Sequence, residues 1–80
     1  MPAIEVYTRR GCHLCEVLIE ALLEQVNGRL ELDIRDIDTR DDWRELYDTR
    51  VPVVRFDGEF VCQYQLDRDA LEQILSNTTT

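Results

Sequence analysis

The hydrophobic positions of the chain first alternate and then recur at helical spacing. Ile4 and Val6 alternate with polar neighbours, so we predict a first strand over residues 3–8. The next apolar residues are spaced as on one face of an amphipathic helix: Leu14, Val17, Leu18, Ala21, Leu22 and Val26. The opposite, solvated face carries glutamates: Glu16, Glu20 and Glu24. Asn27-Gly28 is a usual C-terminal signal, so the helix is expected to end there.

A second strand and a short helix are predicted in the middle of the chain. Residues 30–35 alternate strictly, which is typical of an edge strand or of a strand covered on one face only. Thr39 is followed three residues later by Asp42, a spacing that resembles a capping box and predicts a helix start. The inward face of this helix is expected to carry three residues: Trp43, Leu46 and Tyr47.

The last third of the chain predicts a hairpin followed by a helix. Residues 51–56 and 59–64 have strand composition, and the Asp57-Gly58 pair between them is a two-residue turn signal, so the two strands should be antiparallel. Asp67 is expected to cap the final helix, with Leu66 placed to contact Leu71 as a hydrophobic staple. The predicted order of elements is β-α-β-α-β-β-α.

Length and composition limit the class of protein. The 80 residues give room for one domain, placed over residues 1–77, with a frayed tail over residues 78–80. The net charge is −8, and such a surface repels phosphate, so neither nucleic acid nor an anionic membrane is an expected partner. No secretory signal or membrane-spanning run is found in the sequence, so we expect a cytoplasmic location.

Cys12 and Cys15 form a Cys-x-x-Cys pair at the junction of the first strand and the first helix, where such a pair indicates a redox site. A helix N-terminus offers unpaired N–H groups and partial positive charge, which favour a thiolate at Cys12, the candidate nucleophile. Cys15 is the candidate resolving thiol, because it lies one turn further on the same face. Arg10 and His13 are nearby cations that would stabilise the thiolate, and an exposed loop histidine without a role is the alternative for His13.

Metal binding is the main alternative for this cysteine pair. A structural zinc site needs four ligands, and beyond the pair the chain offers only His13 and Cys62, so redox chemistry is favoured and no metal ligand is assigned. A zinc or iron–sulfur module that uses Cys12 stays open, as does an inactive adaptor. Cys62 lies in phase with Phe60 and Tyr64 and is expected in the core, with a third redox cysteine as the alternative.

The element order and several short motifs resemble the thioredoxin superfamily and, within it, the glutaredoxin-like proteins of bacteria. The matching residues span nearly the whole chain: Tyr7-Thr8, Arg9, Cys12-His13-Leu14-Cys15, Val51-Pro52-Val53, Asp57-Gly58 and the acidic start of the last helix. The resemblance implies a thioredoxin-like α/β fold, with a four-stranded mixed sheet of order 2-1-3-4, strand four antiparallel, and three flanking helices. Right-handed crossovers would then place strand two at an edge.

The resemblance also implies a substrate site beside the cysteines. It implies that the Val51-Pro52 peptide bond is cis, that the Val51 backbone binds an extended substrate, and that Arg9 binds the glycyl carboxylate of glutathione. The chain differs from glutaredoxins at two places. His13-Leu14 replaces the usual Pro-Tyr, and residues 63–66 stand where a Gly-Gly pair would hold the glutamyl end of glutathione.

We therefore predict a thiol–disulfide oxidoreductase that acts in cell redox homeostasis. Its expected partners are disulfide-containing proteins or low-molecular-weight thiols. It is expected to need no bound cofactor and to be a monomer. Glutathione and a dithiol reductant are both candidate electron donors.

Overall fold

The computed structural model describes residues 3–78 of the chain and confirms the predicted order of elements. A single 3₁₀ turn, Ile37–Thr39, is added between the second strand and the second helix. The strands and helices have these bounds: β1 Ile4–Thr8, α1 His13–Val26, β2 Leu32–Asp36, α2 Asp41–Tyr47, β3 Val53–Phe56, β4 Glu59–Gln63 and α3 Arg68–Thr78. Because α3 continues to Thr78, the part of the expected tail beyond it, residues 79–80, lies outside the described residues.

The four strands form one mixed sheet in the order β2-β1-β3-β4, as the resemblance implied. β1 and β2 are parallel, and β2 lies at the edge, in agreement with its strict alternation. The strand that runs against the others is β3, which is antiparallel to both of its neighbours. The expectation of an antiparallel fourth strand is therefore correct only relative to β3. The architecture is that of the thioredoxin-like fold.

The face of the sheet beneath α1 and α3 holds the larger core. Val6 and Val54, which are paired across β1 and β3, are both fully buried there. The helices add aliphatic side chains of at most 2% exposure: Leu18, Leu22, Val26, Leu71 and Leu75. Each such side chain contributes roughly 1.5–3 kcal/mol by leaving water, so this cluster supplies most of the apolar stabilisation.

The buried face of α1 is rotated from the one that its apolar spacing predicted. Cys15 is buried and acts as an apolar core residue, whereas Leu14 and Val17 are each 49% exposed, so the prediction that they face inward is wrong. The reason is that Cys15, Leu18 and Leu22 already fill one face of the helix, which leaves Leu14 and Val17 at its border. The predicted helix end is confirmed, since Asn27 is the C-cap with a φ of 49°.

The other face of the sheet packs against the 3₁₀ turn and α2. Tyr7, Ile37 and Val53 are buried there, with Trp43 and Tyr47 packed against them. Leu46 is 57% exposed, so its predicted inward position is wrong. The reason is that α2 has only seven residues and packs only one narrow face against the sheet. The predicted capping box is also absent, because the Thr39 hydroxyl donates to the Asp36 carbonyl within the 3₁₀ turn.

The hairpin of β3 and β4 forms as predicted, with positive φ angles of 52° at Asp57 and 81° at Gly58. The register shifts once: Val54 pairs with Cys62 and Arg55 with Phe60, so Val61 is an extra residue, a β-bulge. The bulge breaks the alternation of β4. Cys62 is buried as expected, but Phe60 is 58% exposed and is not in phase with it.

The start of α3 agrees with the sequence. The Asp67 side chain accepts a hydrogen bond of 3.1 Å from the Ala70 N–H, which confirms the predicted cap. Leu66 packs against the cluster that contains Leu71, as expected of a staple. Within residues 3–78, no helix combines the length and the apolar character that crossing a membrane requires.

Candidate dithiol site

Cys12 is the N-cap residue of α1. Gly11 precedes it with a φ of 75°, and this positive angle turns the chain from β1 into the helix. The Cys12 backbone is extended, and its sulfur accepts a hydrogen bond of 3.1 Å from the Cys15 N–H. The thiol thus occupies the position in which serine or aspartate oxygens satisfy the free N–H groups of a helix.

Cys15 lies in a different environment, although only two residues separate it from Cys12. Its side chain is 2% exposed and belongs to the buried face of α1. Burial, reinforced by a hydrogen bond between the Cys15 thiol and the Cys12 side chain, raises the pKa of the Cys15 thiol to about 12. Cys15 therefore stays protonated at neutral pH, while Cys12 is only half-buried and faces the surface. The two sulfurs are chemically unequal before any reaction begins.

Arg9 at the end of β1 is held by two carboxylates. Its guanidinium lies 3.0 Å from an Asp38 oxygen and 2.6 Å from an Asp48 oxygen. The pKa of Asp38 is lowered chiefly by its hydrogen bond with Arg9. These contacts tie β1 to the 3₁₀ turn and to the end of α2. Binding of a substrate carboxylate by Arg9 stays a prediction, and such a ligand would have to share the guanidinium with Asp38 and Asp48.

His13 and Arg10 are both exposed beside Cys12. His13 lies 3.9 Å from a Glu16 oxygen, and its side chain is 85% exposed. The charge of Arg10 contributes to the lowered pKa of Asp38, after the larger effect of Arg9. Tuning of the Cys12 thiolate by these two side chains stays a prediction.

The loop before β3 carries the predicted cis peptide bond between Val51 and Pro52. Pro52 is fully buried, and Val51 packs against the cluster of Tyr7, Ile37 and Val53. The Pro52 carbonyl accepts a hydrogen bond of 2.9 Å from the Tyr64 N–H, so the loop is attached to the end of β4. Substrate binding by the Val51 backbone stays a prediction.

Tyr64 is a site residue to which the sequence analysis gave no role. Its φ is 66°, and its hydroxyl donates to the Thr49 carbonyl at 3.2 Å. The available signal was its position, since residues 63–66 stand where the resemblance puts a Gly-Gly pair. An apolar groove of about 260 Å³ lies between α1 and the segment after β4. Its walls include Leu14, Val17, Ala21, Tyr64, Leu66 and Arg68.

Cys62 belongs to β4, far in sequence from the two other cysteines, and its side chain lies in the core. Its side chain is 7% exposed, and burial raises the pKa of its thiol. Among residues 3–78, no three side chains of His, Cys, Asp or Glu are grouped as a metal ion would require. A cluster shared between two chains needs fewer ligands from each chain, so this finding concerns metal binding by one chain only.

A four-stranded thioredoxin-like sheet with a Cys-x-x-Cys pair at the start of α1 and a cis-proline before β3 defines a thioredoxin-fold protein with a candidate redox dithiol. The sequence model of one family, described as Glutaredoxin-like domain (DUF836), matches residues 3–76. The chain therefore belongs to this glutaredoxin-like family, and the recognition made from its motifs is confirmed.

Solved structures support the same assignment. The chain is similar to protein Ne2328 from Nitrosomonas europaea, with 36% identity over 91% of this chain and 89% of that chain and a TM-score of 0.78. It is similar to protein XcR50 from X. campestris, with 29% identity over 94% and 97% of the two chains and a TM-score of 0.74. The holo form of glutaredoxin C1 from Populus tremula x tremuloides, at 19% identity over 94% and 84% and a TM-score of 0.65, shares the fold. No curated protein sequence matched the chain.

Proposed function

We propose that this protein is a thiol–disulfide oxidoreductase that reduces disulfides through Cys12 and Cys15. The Cys12 thiolate attacks one sulfur of the substrate disulfide, and the other substrate sulfur leaves as a thiolate that takes a proton from water. Cys15 then attacks the Cys12 sulfur, passes its own proton to the leaving group and releases the second substrate thiol. The substrate gains two electrons and two protons, and the protein is left with a Cys12–Cys15 disulfide.

The observation that supports this proposal is the inequality of the two sulfurs. Cys12 is reachable and accepts a hydrogen bond from a helix N–H, whereas Cys15 is buried with a pKa raised to about 12. Attack by Cys12 comes first because only a thiolate is a strong nucleophile. Cys15 reacts after a mixed disulfide has formed beside it, because the new disulfide is then within its reach.

We propose a dithiol reductant, rather than glutathione, as the electron donor that restores the reduced protein. The Gly-Gly pair that would hold the glutamyl end of glutathione is replaced by residues 63–66, and Arg9 is already paired with two carboxylates. Both differences weaken the expected binding of glutathione. The proposed setting is the cytoplasm, with a monomer acting on disulfide-containing proteins or low-molecular-weight disulfides.

Substitution of each cysteine tests the mechanism. Cys12→Ser is expected to abolish exchange, because a hydroxyl is not ionised at this position. Cys15→Ser is expected to accumulate mixed disulfides, since the resolving thiol is missing. Cys62→Ala is the matched control and should leave the Cys12–Cys15 disulfide as the product of oxidation, which peptide mapping detects. In the oxidised wild-type protein, a dominant bridge to Cys62 would contradict the assignment.

Analysis of the purified wild-type protein separates this function from a metal-binding module and from an inactive adaptor. Stoichiometric zinc, or visible colour after anaerobic purification, would favour a metal-binding module that uses Cys12. Failure to form any intramolecular disulfide with a mild oxidant would favour an inactive adaptor. Coupled assays with glutathione and with a thioredoxin-type reductase test the donor, and efficient turnover with glutathione would contradict the proposed dithiol route.

A further inference from the structure

Tyr64 has an unusual backbone conformation for a bulky residue. Its φ of 66° lies in the left-handed region, where a Cβ is disfavoured and glycine is the common residue. Such conformations persist only where the surrounding structure holds them, and they are concentrated at functional sites. The chain therefore has a strained tyrosine at a position where a glycine would be unstrained.

Two hydrogen bonds hold Tyr64 against the loop that carries the cis-proline. Its N–H donates to the Pro52 carbonyl at 2.9 Å, and its hydroxyl donates to the Thr49 carbonyl at 3.2 Å. The backbone and the tip of the side chain are thus fixed to the same loop. The residue remains 41% exposed, so part of its ring is free to contact another molecule.

Tyr64 also lines the apolar groove between α1 and the segment after β4. Leu14 and Val17 line the groove from α1, and each is 49% exposed. Leu14 lies between the two cysteines in sequence, so one wall of the groove belongs to the same first turn of α1 as the dithiol. Its volume of about 260 Å³ is below the range of small-molecule pockets. The groove therefore suits one or two apolar side chains rather than an organic cofactor.

We propose that Tyr64 is a specificity-determining residue that makes the site prefer disulfides of extended peptide segments with an apolar side chain next to the cysteine. This inference rests on the proposed exchange function. When Cys12 forms a mixed disulfide with such a segment, the neighbouring side chain lies within reach of the groove formed by Tyr64, Leu14 and Val17. Arg68 is the charged side chain on the groove walls, so the segment beside the cysteine is expected to carry no basic residue next to its apolar side chain.

Two disulfide-linked peptides that differ only in the residue after the cysteine, leucine or glycine, test the inference. The wild-type protein is expected to have a kcat/KM about tenfold higher for the leucine peptide, the low end of what one apolar contact supplies. Tyr64→Gly removes the ring and the strain, and should reduce this ratio to about twofold or less. Val17→Ser on the opposite wall should also lower the ratio.

The ratio of the two kcat/KM values separates a specificity role from a structural one. A loss of structure lowers kcat/KM equally for both peptides and leaves their ratio unchanged. Tyr64→Phe retains the ring and should retain the preference. Leu23→Ser is the matched control, since Leu23 is 53% exposed on α1 and is not part of the groove. An unchanged ratio in Tyr64→Gly, or a ratio lost in Tyr64→Phe as in Tyr64→Gly, would overturn the proposal.

Hydroxyethyl disulfide carries no peptide side chain. Its reduction distinguishes a failure of the proposed oxidoreductase function from a failure of the proposed specificity role. If the wild-type protein reduces neither this compound nor either peptide, the proposed oxidoreductase function is wrong. If it reduces all three but does not distinguish the two peptides, the exchange function stands and the specificity role of Tyr64 is wrong.

Discussion

The two faces of the sheet are held by different kinds of interaction. Beneath α1 and α3 the contacts are aliphatic, and Leu22 and Leu71 have no exposed surface. Beneath α2 they are aromatic and charged: the Tyr7 ring lies 5.5 Å from Trp43, and the Arg35 guanidinium lies 5.6 Å from the Tyr7 ring. The hydrophobic contacts on the first face have little directional preference, whereas the aromatic and cation–π contacts on the second depend on the relative orientation of the groups.

The residues around the dithiol belong to elements on both faces. Cys12 and Cys15 belong to α1, whereas Arg9 and its partners Asp38 and Asp48 connect β1 to the elements on the α2 face. We infer that the two faces have different roles. Aliphatic burial supplies stability, and the polar face sets the positions of the loops around the cysteines. Variants on the two faces should therefore differ in size of effect and in dependence on pH.

The largest loss of stability is expected on the aliphatic face. Leu22→Ala should lower the free energy of unfolding by about 2–5 kcal/mol, because it removes buried methyl groups and leaves a cavity. The measurement is urea unfolding followed by circular dichroism. Leu23→Ala, at a neighbouring position that is 53% exposed, should change stability by only about 0.5 kcal/mol. Similar losses in both variants would contradict the assignment of the buried face.

The next largest effect is a difference in reactivity between the buried Cys15 and the half-buried Cys12. At pH 8 the Cys15 thiol stays protonated, because burial raises its pKa to about 12. Iodoacetamide should therefore modify Cys12 first in the native protein, and Cys15 should lag by about a hundredfold or more. Mass spectrometry of the labelled peptides gives both rates. Equal labelling of the two cysteines would show that the N-terminal turn of α1 opens readily.

A smaller loss of stability is expected on the aromatic and charged face beneath α2. The Tyr7 hydroxyl accepts a hydrogen bond of 3.0 Å from Arg35. Tyr7→Phe keeps the stacked ring and removes only this acceptor, so the free energy of unfolding should fall by about 0.5–1.5 kcal/mol. The same urea titration measures it. A loss as large as that of Leu22→Ala would show that the two faces do not differ as described.

The smallest effect is a pH dependence at the Arg9 ion pairs. Arg9 lowers the pKa of Asp38 below its ordinary value of 3.8, so the unfolded chain binds this proton more readily than the folded one. The resulting stability is present above the unfolded pKa and is lost as pH falls through the folded pKa. Asp38→Asn should have a lower melting temperature at neutral pH, and its difference from wild type should shrink below about pH 4.

Arg9→Gln supplies the control for this pH effect. It should show the same reduced acid dependence as Asp38→Asn, because removing the cation restores the ordinary behaviour of the carboxyl group. The double variant should add little to Arg9→Gln, whereas relative to Asp38→Asn it also loses the Arg9–Asp48 pair. An acid dependence that persists in both single variants would assign it to other carboxyl groups.

The sequence predicted the elements well where local patterns determine them. The strand predicted over residues 30–35, the Asp57-Gly58 turn and the Asp67 cap each depend on a few neighbouring residues. Each is confirmed, with the strand observed as Leu32–Asp36, although Ile34 is 51% exposed and burial along the strand does not alternate. The errors come from contacts between distant segments. The Val61 bulge follows from the pairing of β4 with β3, and the exposure of Leu14 depends on Cys15 filling the core position beside it.

The site shows the same division between local and distant determinants. The Cys-x-x-Cys pair and the cis-proline were identified from short motifs. The pairing of Arg9 with Asp38 and Asp48 joins residues far apart in sequence, which no periodicity reveals. Tyr64 was noticed only as a departure from a glycine pair. Its φ and its hydrogen bond to Thr49 required the folded chain.

The contact between the Cys15 N–H and the Cys12 sulfur links electron transfer to helix stability. In a Cys12–Cys15 disulfide the sulfur at the cap is neutral, so the helix dipole no longer faces a group able to carry negative charge. Free energies around a closed cycle sum to zero. The difference in unfolding free energy between the two forms therefore equals the difference in reduction potential between the native and the unfolded chain, at about 30 mV for every 1.4 kcal/mol. Melting curves of the dithiol and disulfide forms would thus report how oxidising the folded protein is.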